Sequence, residues 1–505
     1  MENAILTQSS RSTARHVVIV GGGPAGLSAA LAAKNAGARV TLIESSDQLG
    51  GQFWRHLPAE RAGAKEAKLH HSWDTYTRLR DGVLNDENCE VMFEAQVWSL
   101  EYDHDTQLAL NILVGPPDGT DRTSVRLTPD ALVLATGAHD RTLPFPGWDL
   151  PGVFTAGAAQ AFAKSERIAV GKRVVVAGAG PFLLPVMSSL ATANAEVIGV
   201  FEASQVRNLT NWITRAPWKM LGAAHKGSEL VEYVGIHLRH RVPYHLGSAV
   251  IAAHGTDQVE SVTVAKIDHN WQPIPGTEKQ YEVDAVCVSH GFTPRIELAI
   301  AAGCTISSSR FVQVNTRQET SVPNIYAAGE ITSIGGCDAA LSEGEIAGHC
   351  AAGGDLQAPS LRRAVRAQAT FAHFADRLEA AHGVRSGWMS WVDDDTVLCR
   401  CEETKFGAFR DTVALTESSG LRSTKLTTRV GLGICQGRIC GRNVEAILAQ
   451  LTGDPQGDGA RTDRRPIVTP VRLGDIACSG DTLQDPQSPP HRVDDQAIYP
   501  TESEA

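Results

Sequence analysis

The stretch HVVIVGGGPAGLSAALAAKNAGARVTLIES, residues 16–45, constrains the fold of this chain more than any other. Val17 to Val20 form a short β-branched run, which is typical of a buried parallel strand. A glycine-rich turn and an Ala/Leu-rich helix follow, and a second strand runs from Arg39 to Ile43 and ends at Glu44. This order predicts a complete βαβ unit, the starting element of a doubly wound α/β domain.

The glycines of the turn have the spacing of a dinucleotide-binding site. Gly21 permits the tight turn after the strand, Gly23 lets the backbone approach a pyrophosphate, and Gly26 allows helix and strand to pack closely. The helix N-terminus adds roughly half a positive charge and free N–H groups for the phosphates. Glu44 can accept the ribose hydroxyls at the end of the second strand. Glycines in ordinary turns are the alternative, but they do not account for this strand, helix and acid in order.

A second unit of the same type spans residues 172–204, where Gly178 and Gly180 repeat the glycine spacing. The chain is therefore predicted to contain two doubly wound nucleotide folds. The third glycine position is Leu183, which would crowd the phosphate approach and push the helix away from the strand. Glu202 remains a candidate ribose acceptor. We expect a retained fold with a degenerate or repurposed pocket; NAD binding is doubtful, and NAD is favoured over NADP if a nicotinamide nucleotide binds.

Length and composition narrow the functional classes. The 505 residues suffice for about two to four domains. A formal net charge of -11 argues against a nucleic-acid partner. The uncharged run from Val174 to Ala195 is interpreted as strand, tight turn and buried helix, so no transmembrane segment is expected. The N-terminus has no apolar core of signal-peptide length, and we expect a cytoplasmic protein with reduced cysteines.

Four cysteines lie close together near the end of the chain: Cys399 and Cys401 in VLCRCEE, and Cys435 and Cys440 in GICQGRIC. Their number and grouping match the ligand set of a 2Fe–2S cluster. Structural zinc, a redox disulfide between Cys435 and Cys440, and four inert buried cysteines are the alternatives. Zinc sets usually use C-x-x-C pairs, and a disulfide would leave the first two cysteines without a role.

Residues around the cysteines support a cluster loop. Four glycines are expected to let the loop wrap closely and to turn N–H groups toward the sulfurs: Gly431, Gly433, Gly437 and Gly441. Lys425 and Arg429 either offset the negative charge of a cluster or form a solvated basic face. No C-x-x-C or C-x-x-x-x-C pair occurs before residue 435, which argues against a disulfide reductase.

Three further motifs resemble the two-dinucleotide-binding-domain flavoproteins, the family of glutathione and thioredoxin reductases. They are Gly50-Gly51-Gln52 after the second strand, LVLATGA at 132–138 and NIYAAGE at 324–330. The resemblance implies FAD in the first fold and a contact of the last acid with the ribityl chain, although this chain has Glu330 where the family has Asp. The implied cofactor-binding residues are Gly21, Gly23, Pro24, Ala25, Gly26, Glu44, Gly50, Gly51, Gln52, Val97, Thr136, Gly137, Gly329 and Glu330.

The cysteine unit resembles bacterioferritin-associated ferredoxin, and the whole chain resembles a narrower group. Phrases similar to the larger subunits of opine oxidases, hydrogen cyanide synthase and D-hydroxyproline dehydrogenase are ATGAHDRTLPFPGW, AGAGPFLL, CRCEE, RVGLGICQGRIC and RRPIVTPVRLGDIA. The implied fold class is α/β, with two Rossmann-like doubly wound domains and a small C-terminal 2Fe–2S domain. The implied ligands are Cys399, Cys401, Cys435 and Cys440.

The same resemblance implies the domain order. The FAD-binding domain would comprise residues 14–165 and 284–355, with an NAD(P)-binding-like domain at 166–283 between them. A helical linker at 356–390, the 2Fe–2S domain at 391–478 and a disordered tail at 479–505 would follow.

The resemblance also implies an electron-transfer subunit. A smaller FAD-dependent partner, similar to glycine oxidase and D-amino acid dehydrogenase, would oxidise a C–N bond, and this chain would carry the electrons to its cluster and FAD or to an acceptor such as a quinone at the inner membrane. Open alternatives are an FMN at the subunit interface and a further small subunit. No general base or nucleophile is identified, and His139 and His290 receive no catalytic role. A self-sufficient NADH-dependent reductase and an iron–sulfur assembly or sensing protein are the rival interpretations.

Overall fold

The computed structural model describes residues 14–58, 61, 66–102, 107–117, 119–205, 240–454, 465 and 467–478. The tail predicted to be disordered, 479–505, lies outside the described residues. Among the described helices, none combines the length and the apolar composition that crossing a membrane would require.

The first sheet has five parallel strands, with its first strand in the centre. In spatial order they are Ile325–Ala327, Ala131–Leu134, His16–Val20, Arg39–Ile43 and Cys89–Met92. The central strand is buried along its whole length, as its β-branched run predicts. The strand at one edge, Ile325–Ala327, comes from far along the sequence, so the sheet joins segments that are distant in the chain.

Two helices beside this sheet pack against each other at unusually close range. They are Pro24–Asn35 and Cys337–Ala351. A Cβ atom on Gly344 would overlap the carbonyl group of Ala25, and one on Gly348 would overlap that of Ala29. Glycine at these positions lets the two backbones touch, which fixes the loop before the second helix against the start of the first.

The second sheet is also parallel and five-stranded. Its spatial order is Tyr244–Leu246, Glu196–Glu202, Arg173–Gly178, Ala285–Ser289 and Val153–Thr155. The uncharged run begins within the strand Arg173–Gly178 and contains the helix Leu183–Thr192, as interpreted from its sequence. Two strands of this sheet lie outside the predicted range 166–283, so that range requires correction at both ends. The predicted bounds follow the ends of the sequence motifs, and a motif does not show which strands distant in sequence pair in the sheet.

The other strands form small antiparallel sheets. One three-stranded sheet comprises Ala95–Tyr102, Leu108–Val114 and Thr123–Leu127. A second three-stranded sheet comprises Ser248–His254, Ser261–Lys266 and Lys279–Glu282. Two further sheets are strand pairs: Ala138–Asp140 with Phe292–Pro294, and Val397–Cys399 with Thr404–Lys405. The remaining helical elements are Glu66–Leu69, Trp73–Leu84, Ala156–Ala161, Phe162–Glu166, Glu297–Ala301, Pro359–Leu361, Arg362–His382, Ser386–Trp391, Phe406–Thr416, Leu421–Thr428, Gly441–Thr452 and Leu473–Cys478.

The cysteine unit, residues 391–454 here, shares a core with the second sheet. Phe409, Val444 and Ile447 of the unit belong to the same buried cluster as Trp148 and Val286 of the preceding fold. The indole Nε1 of Trp148 also donates to the carbonyl oxygen of Val397 at 2.5 Å. A continuous apolar core between the two parts holds the unit in one place relative to the nucleotide folds.

Candidate functional site

The turn after the first strand forms a cradle that only glycine can line. Gly21 has a φ of 108°, and a Cβ atom there would overlap the carbonyl oxygen of Ala135. A Cβ atom on Gly26 would overlap the carbonyl oxygen of Gly21. The backbone N–H groups at the start of the helix are therefore left accessible to a phosphate, as the spacing predicts.

Glu44 closes the cradle on one side. The side chain is buried, and its Oε2 accepts the N–H of Gly22 at 2.7 Å while its Oε1 accepts the N–H of Ser46 at 2.8 Å. Gly51, with a φ of 58°, approaches so closely that a Cβ atom on it would lie 2.8 Å from the Cα of Gly23. The structure thus brings the first glycines, Glu44 and the Gly50–Gly51 turn together.

The other predicted contacts of the cofactor lie around the same turn. Pro24 and Ala25 begin the helix, Gln52 is exposed, and Val97 is buried two residues after Ala95, whose N–H donates to the carbonyl oxygen of Glu44 at 2.8 Å. Pro24, Ala25 and Gln52 thus follow strands at the carboxyl end of the first sheet, which is where doubly wound folds bind ligands, whereas Val97 belongs to the buried core.

The turn at Thr136 and Gly137 is held by a segment that the sequence did not single out. The hydroxyl of Thr136 donates to the carbonyl oxygen of Arg295 at 2.7 Å, and the N–H of Arg295 donates to the carbonyl oxygen of Gly137 at 2.9 Å. Burial lowers the pKa of the nearby Arg55, while the charge of Glu44 opposes that effect and the charge of Arg295 adds to it. The guanidinium groups of Arg55 and Arg295 therefore lie in the neighbourhood of the Glu44 carboxylate.

Gly329 and Glu330 meet the cradle from the late part of the chain. Gly329 has a φ of 82°, and its N–H donates to Oε2 of Glu343 at 2.8 Å. The hydroxyl of Thr332 donates to the same oxygen at 2.8 Å. Burial, with the charge of Asp140 adding to it, raises the pKa of Glu330 to about 7.

Glu343 therefore positions the turn that carries Glu330. It lies in the helix Cys337–Ala351, and burial raises its pKa to about 7, although its two hydrogen bonds oppose the increase. Sequence reasoning missed Glu343, Arg55 and Arg295. None of the three stands in a motif with a mechanistic spacing, so tertiary contact is the signal that identifies them.

In the second nucleotide fold, the candidate ribose acceptor, Glu202, is already hydrogen-bonded to other residues of the chain. Glu202 is 3% exposed, and its Oε1 lies 2.8 Å from Nδ1 of His382 and 3.3 Å from the N–H of Gly180. The hydroxyl of Tyr244 donates to the other oxygen. Burial alone would raise the pKa of Glu202, yet the hydrogen bonds and charge of His382 and the bond from Tyr244 outweigh burial and lower it.

His382 is the last residue of the helix Arg362–His382, and its Cβ lies 3.9 Å from the position of a Cβ atom on Gly180. The end of this helix thus lies against the turn that would face a nucleotide phosphate. Leu183, at the third glycine position, is fully buried and begins the helix Leu183–Thr192. His382 and Leu183 thus lie at the two positions of this fold that the sequence singles out, the ribose acceptor Glu202 and the third glycine position.

The four cysteines of the C-terminal unit come together in one cavity of about 150 Å³, which Cys399, Cys401, Cys435 and Cys440 line with Trp148, Val153 and Phe154. The thiol of Cys440 is within hydrogen-bonding reach of Cys399 and Cys435, and Cys435 is within reach of Cys401. All four are free thiols. In the described part of the chain, no set of three or more His, Cys, Asp or Glu side chains is arranged to hold a metal ion. The sulfurs instead contact one another in sequence around the cavity.

Glycines and backbone N–H groups surround these sulfurs. A Cβ atom on Gly433 would overlap the Cβ of Cys401, so the loop can approach the first cysteine pair only as glycine. The pKa of Cys399 is lowered to about 6, chiefly by the thiol of Cys440 and then by the backbone N–H of Gly431. Cys435 also has a lowered pKa, because Cys440 and the N–H groups of Ile439 and Gly437 donate to it. Cys399 and Cys435 are thus stabilised as thiolates, the metal-binding form of cysteine, whereas the pKa of Cys440, which donates to both, and the pKa of Cys401 are raised.

Gly441 differs from the other three glycines of the predicted loop. A Cβ atom there would meet nothing within 4 Å, and the residue begins the helix Gly441–Thr452. Gly431 and Gly437, by contrast, have φ values of 77° and 81° and face each other across the loop.

A network of polar contacts joins the cysteine loop to the flavin-side turn. Nε2 of His139 lies 3.1 Å from the carbonyl oxygen of Arg438, and Nε of Arg438 lies 2.9 Å from a carboxylate oxygen of Glu297. The amide of Asn443 donates to the carbonyl oxygen of Thr142 at 2.6 Å. Burial lowers the pKa of His139 more than the Arg438 carbonyl raises it. His139 is therefore a structural contact between the two sites.

Comparison with known proteins identifies relatives over nearly the whole chain. Residues 15–348 match the family of pyridine nucleotide-disulphide oxidoreductases. An opine oxidase subunit of Rhizobium meliloti is 31% identical over 481 residues, covering 91% of this chain and 87% of the relative. Hydrogen cyanide synthase subunit HcnB of Pseudomonas protegens is 30% identical over 464 residues, covering 86% of this chain and 92% of the relative.

Among solved structures, L-proline dehydrogenase from P. horikoshii has a similar fold. The match has a TM-score of 0.59 at 21% identity and covers 91% of this chain and 78% of that chain.

Proposed function

The chain belongs to the pyridine nucleotide-disulphide oxidoreductase family, and from this premise we propose that it is the electron-transferring subunit of a heteromeric amine or imino acid dehydrogenase. The predicted resemblance to opine oxidase and hydrogen cyanide synthase subunits is confirmed, as are the two Rossmann-like folds. The chain is an FAD-dependent oxidoreductase of a group whose named members are subunits of larger enzymes.

The cradle of the first fold fits the FAD that the family binds. Gly21, Gly26 and Gly51 leave space that a Cβ atom would fill, and Glu44 presents a buried carboxylate at the end of the second strand. The helix N-terminus would hold the pyrophosphate and Glu44 the ribose, and Glu343 would hold the Gly329–Glu330 turn against the ribityl chain. These roles are supported by the positions of the residues around one edge of the sheet.

We further propose a 2Fe–2S cluster at the four cysteines. The observation that carries this proposal is the single cavity that Cys399, Cys401, Cys435 and Cys440 line together. Zinc is less compatible with the spacing, since zinc sets usually use C-x-x-C pairs, whereas these cysteines form a C-x-C and a C-x-x-x-x-C pair. A cluster exchanges single electrons, whereas FAD exchanges one or two, so the pair can divide a two-electron oxidation into single steps.

The contact between His139 and Arg438 supports transfer between the two sites. His139 follows the turn that faces the flavin, and Arg438 lies between two of the proposed cluster ligands. This chain would hold both groups at a fixed separation and exclude water from the buried side. Cys401 is exposed, as are Leu432 and Ile434 beside it in the loop, so the cluster would face an incoming partner from that side.

The partner proposed is a smaller FAD-dependent protein that oxidises the C–N bond, similar to glycine oxidase or D-amino acid dehydrogenase. The same proposal includes a cytoplasmic location, an FMN at the interface, a further small subunit, and a quinone acceptor at the inner membrane. The rival, an NADH-dependent reductase, is disfavoured because His382 and Tyr244 occupy the carboxylate of Glu202.

Anaerobic spectroscopy tests this function. The native complex is co-purified, its partner is identified, and the flavin absorbance is followed after adding NADH, an amino acid or an imino acid. We expect no response to NADH and bleaching by an amino or imino acid only when the partner is present. Rapid bleaching of the isolated chain by NADH would support the rival and refute the proposal.

A further inference from the structure

Lys425 is a buried cation that faces the cysteine loop. It lies in the last turn of the helix Leu421–Thr428 and is 7% exposed. Its Cε lies 3.0 Å from the position of a Cβ atom on Gly431, and its Nζ lies 3.9 Å from that of Gly437. The lysine side chain therefore extends toward both glycines and away from solvent.

Both glycines belong to the backbone that surrounds the sulfurs. The N–H of Gly431 donates to Cys399, and the N–H of Gly437 donates to Cys435. Since Lys425 packs against both, its ammonium is placed behind one cysteine from each pair. A Cβ atom on Gly431 would crowd this side chain, and both glycines have a positive φ.

Arg429, the other basic residue singled out in the sequence, has a different environment. Its side chain is 68% exposed, and its Nε lies 2.6 Å from Oε2 of Glu402. A solvated and paired charge has little effect on a nearby site, whereas a charge in a poorly hydrated environment has a larger one. The structure thus separates the two alternatives that the sequence leaves open: a buried cation at Lys425 and a solvated one at Arg429.

We propose that the positive charge of Lys425 raises the reduction potential of the cluster. The proposal rests on the 2Fe–2S cluster of the proposed function. Reduction adds negative charge at the sulfurs and irons, and a fixed positive charge in a low-dielectric site stabilises the reduced form more than the oxidised one.

The test is a spectroscopic redox titration of the intact chain, with iron and acid-labile sulfide measured on the same samples. Lys425→Met removes the charge and keeps an unbranched stem, and Lys425→Gln is a second neutral variant. Arg422→Met is the matched control, because it makes the same change in net charge at an exposed position of the same helix. We expect both Lys425 variants to retain iron and to have a more negative midpoint potential, with the control unchanged.

Two results would overturn the proposal. One is an unchanged potential in the Lys425 variants, or a shift of equal size in the control. The other is loss of iron from both neutral variants, which would assign Lys425 a structural role only. Failure of the underlying function is distinguishable, because wild-type protein without iron and labile sulfide would refute the cluster itself.

Discussion

Nε2 of His139 lies 3.1 Å from the carbonyl oxygen of Arg438, so the strand after the flavin-side turn touches the loop between Cys435 and Cys440. The contact joins two segments that each serve a different proposed redox group. Their contact fixes how far apart the two sites are.

His139→Leu should weaken this junction. The substitution leaves the carbonyl oxygen of Arg438 without its partner in a half-buried position, which costs about 1–3 kcal/mol. We expect a lower midpoint in urea unfolding and slower electron transfer between flavin and cluster, measured by stopped flow. His269→Leu, at a position whose side chain is 91% exposed, is the control. Equal stability of the two variants would contradict the role of His139.

Gly26→Ala should abolish flavin binding. The added Cβ atom would overlap the carbonyl oxygen of Gly21 and force the helix away from the strand. The ratio of flavin to protein absorbance after purification measures the outcome, and circular dichroism checks that the chain is folded. Gly474→Ala, where nothing lies within 4 Å of the added atom, should retain full flavin content. A folded Gly26→Ala protein with normal flavin would show that the cradle is not the FAD site.

Cys435→Ser should remove the iron and leave the FAD. A serine oxygen is a harder and weaker ligand for iron than a thiolate, and the cysteine unit is separate from the glycine cradle. Iron, zinc, labile sulfide and flavin are measured together in each preparation. Cys89→Ser, a half-buried cysteine in the first sheet, should keep all of them. If the wild-type protein contains stoichiometric zinc that Cys435→Ser loses, the four cysteines hold a structural zinc ion and not an iron–sulfur cluster.

Glu202→Gln should destabilise the second fold in a pH-dependent way. Weakening the hydrogen bonds of this buried carboxylate with His382 and Tyr244 costs about 1–3 kcal/mol. The pKa of Glu202 is lowered from its ordinary value of 4.5, so its contribution is present above that value and is lost as the pH falls through the folded-state pKa. The difference from wild type in urea unfolding should be largest at neutral pH and shrink in acid.

Glu196→Gln is the control for this pair, because Glu196 lies at the exposed end of the same strand and its side chain is 67% exposed. A pH-independent difference for Glu202→Gln would show that the His382 contact does not depend on the carboxylate charge. NADH oxidation by the wild-type chain alone would contradict the degenerate pocket that the sequence predicts for the second fold.

Much of this protein follows from its sequence, because the decisive constraints are local. Gly26 must be glycine on account of Gly21, five residues away in the same turn, and the strand before and helix after are visible as periodic patterns. The two cysteine pairs are likewise visible through their spacing, and they lie in one cavity as a shared ligand set would require. Local geometry leaves a signature at fixed offsets, which sequence reasoning can detect.

Tertiary structure alone decided the rest. Strand Ala285–Ser289 joins the second sheet, His382 reaches Glu202, and Glu343 holds Gly329, yet none of these pairs has a characteristic spacing. Lys425 and Arg429 are equivalent basic residues in the sequence, and burial made one of them a cation beside the cysteines and the other a solvated charge. The packing of distant segments determines how deeply a charged side chain is buried and which group it contacts. The free energy of the charge depends on both.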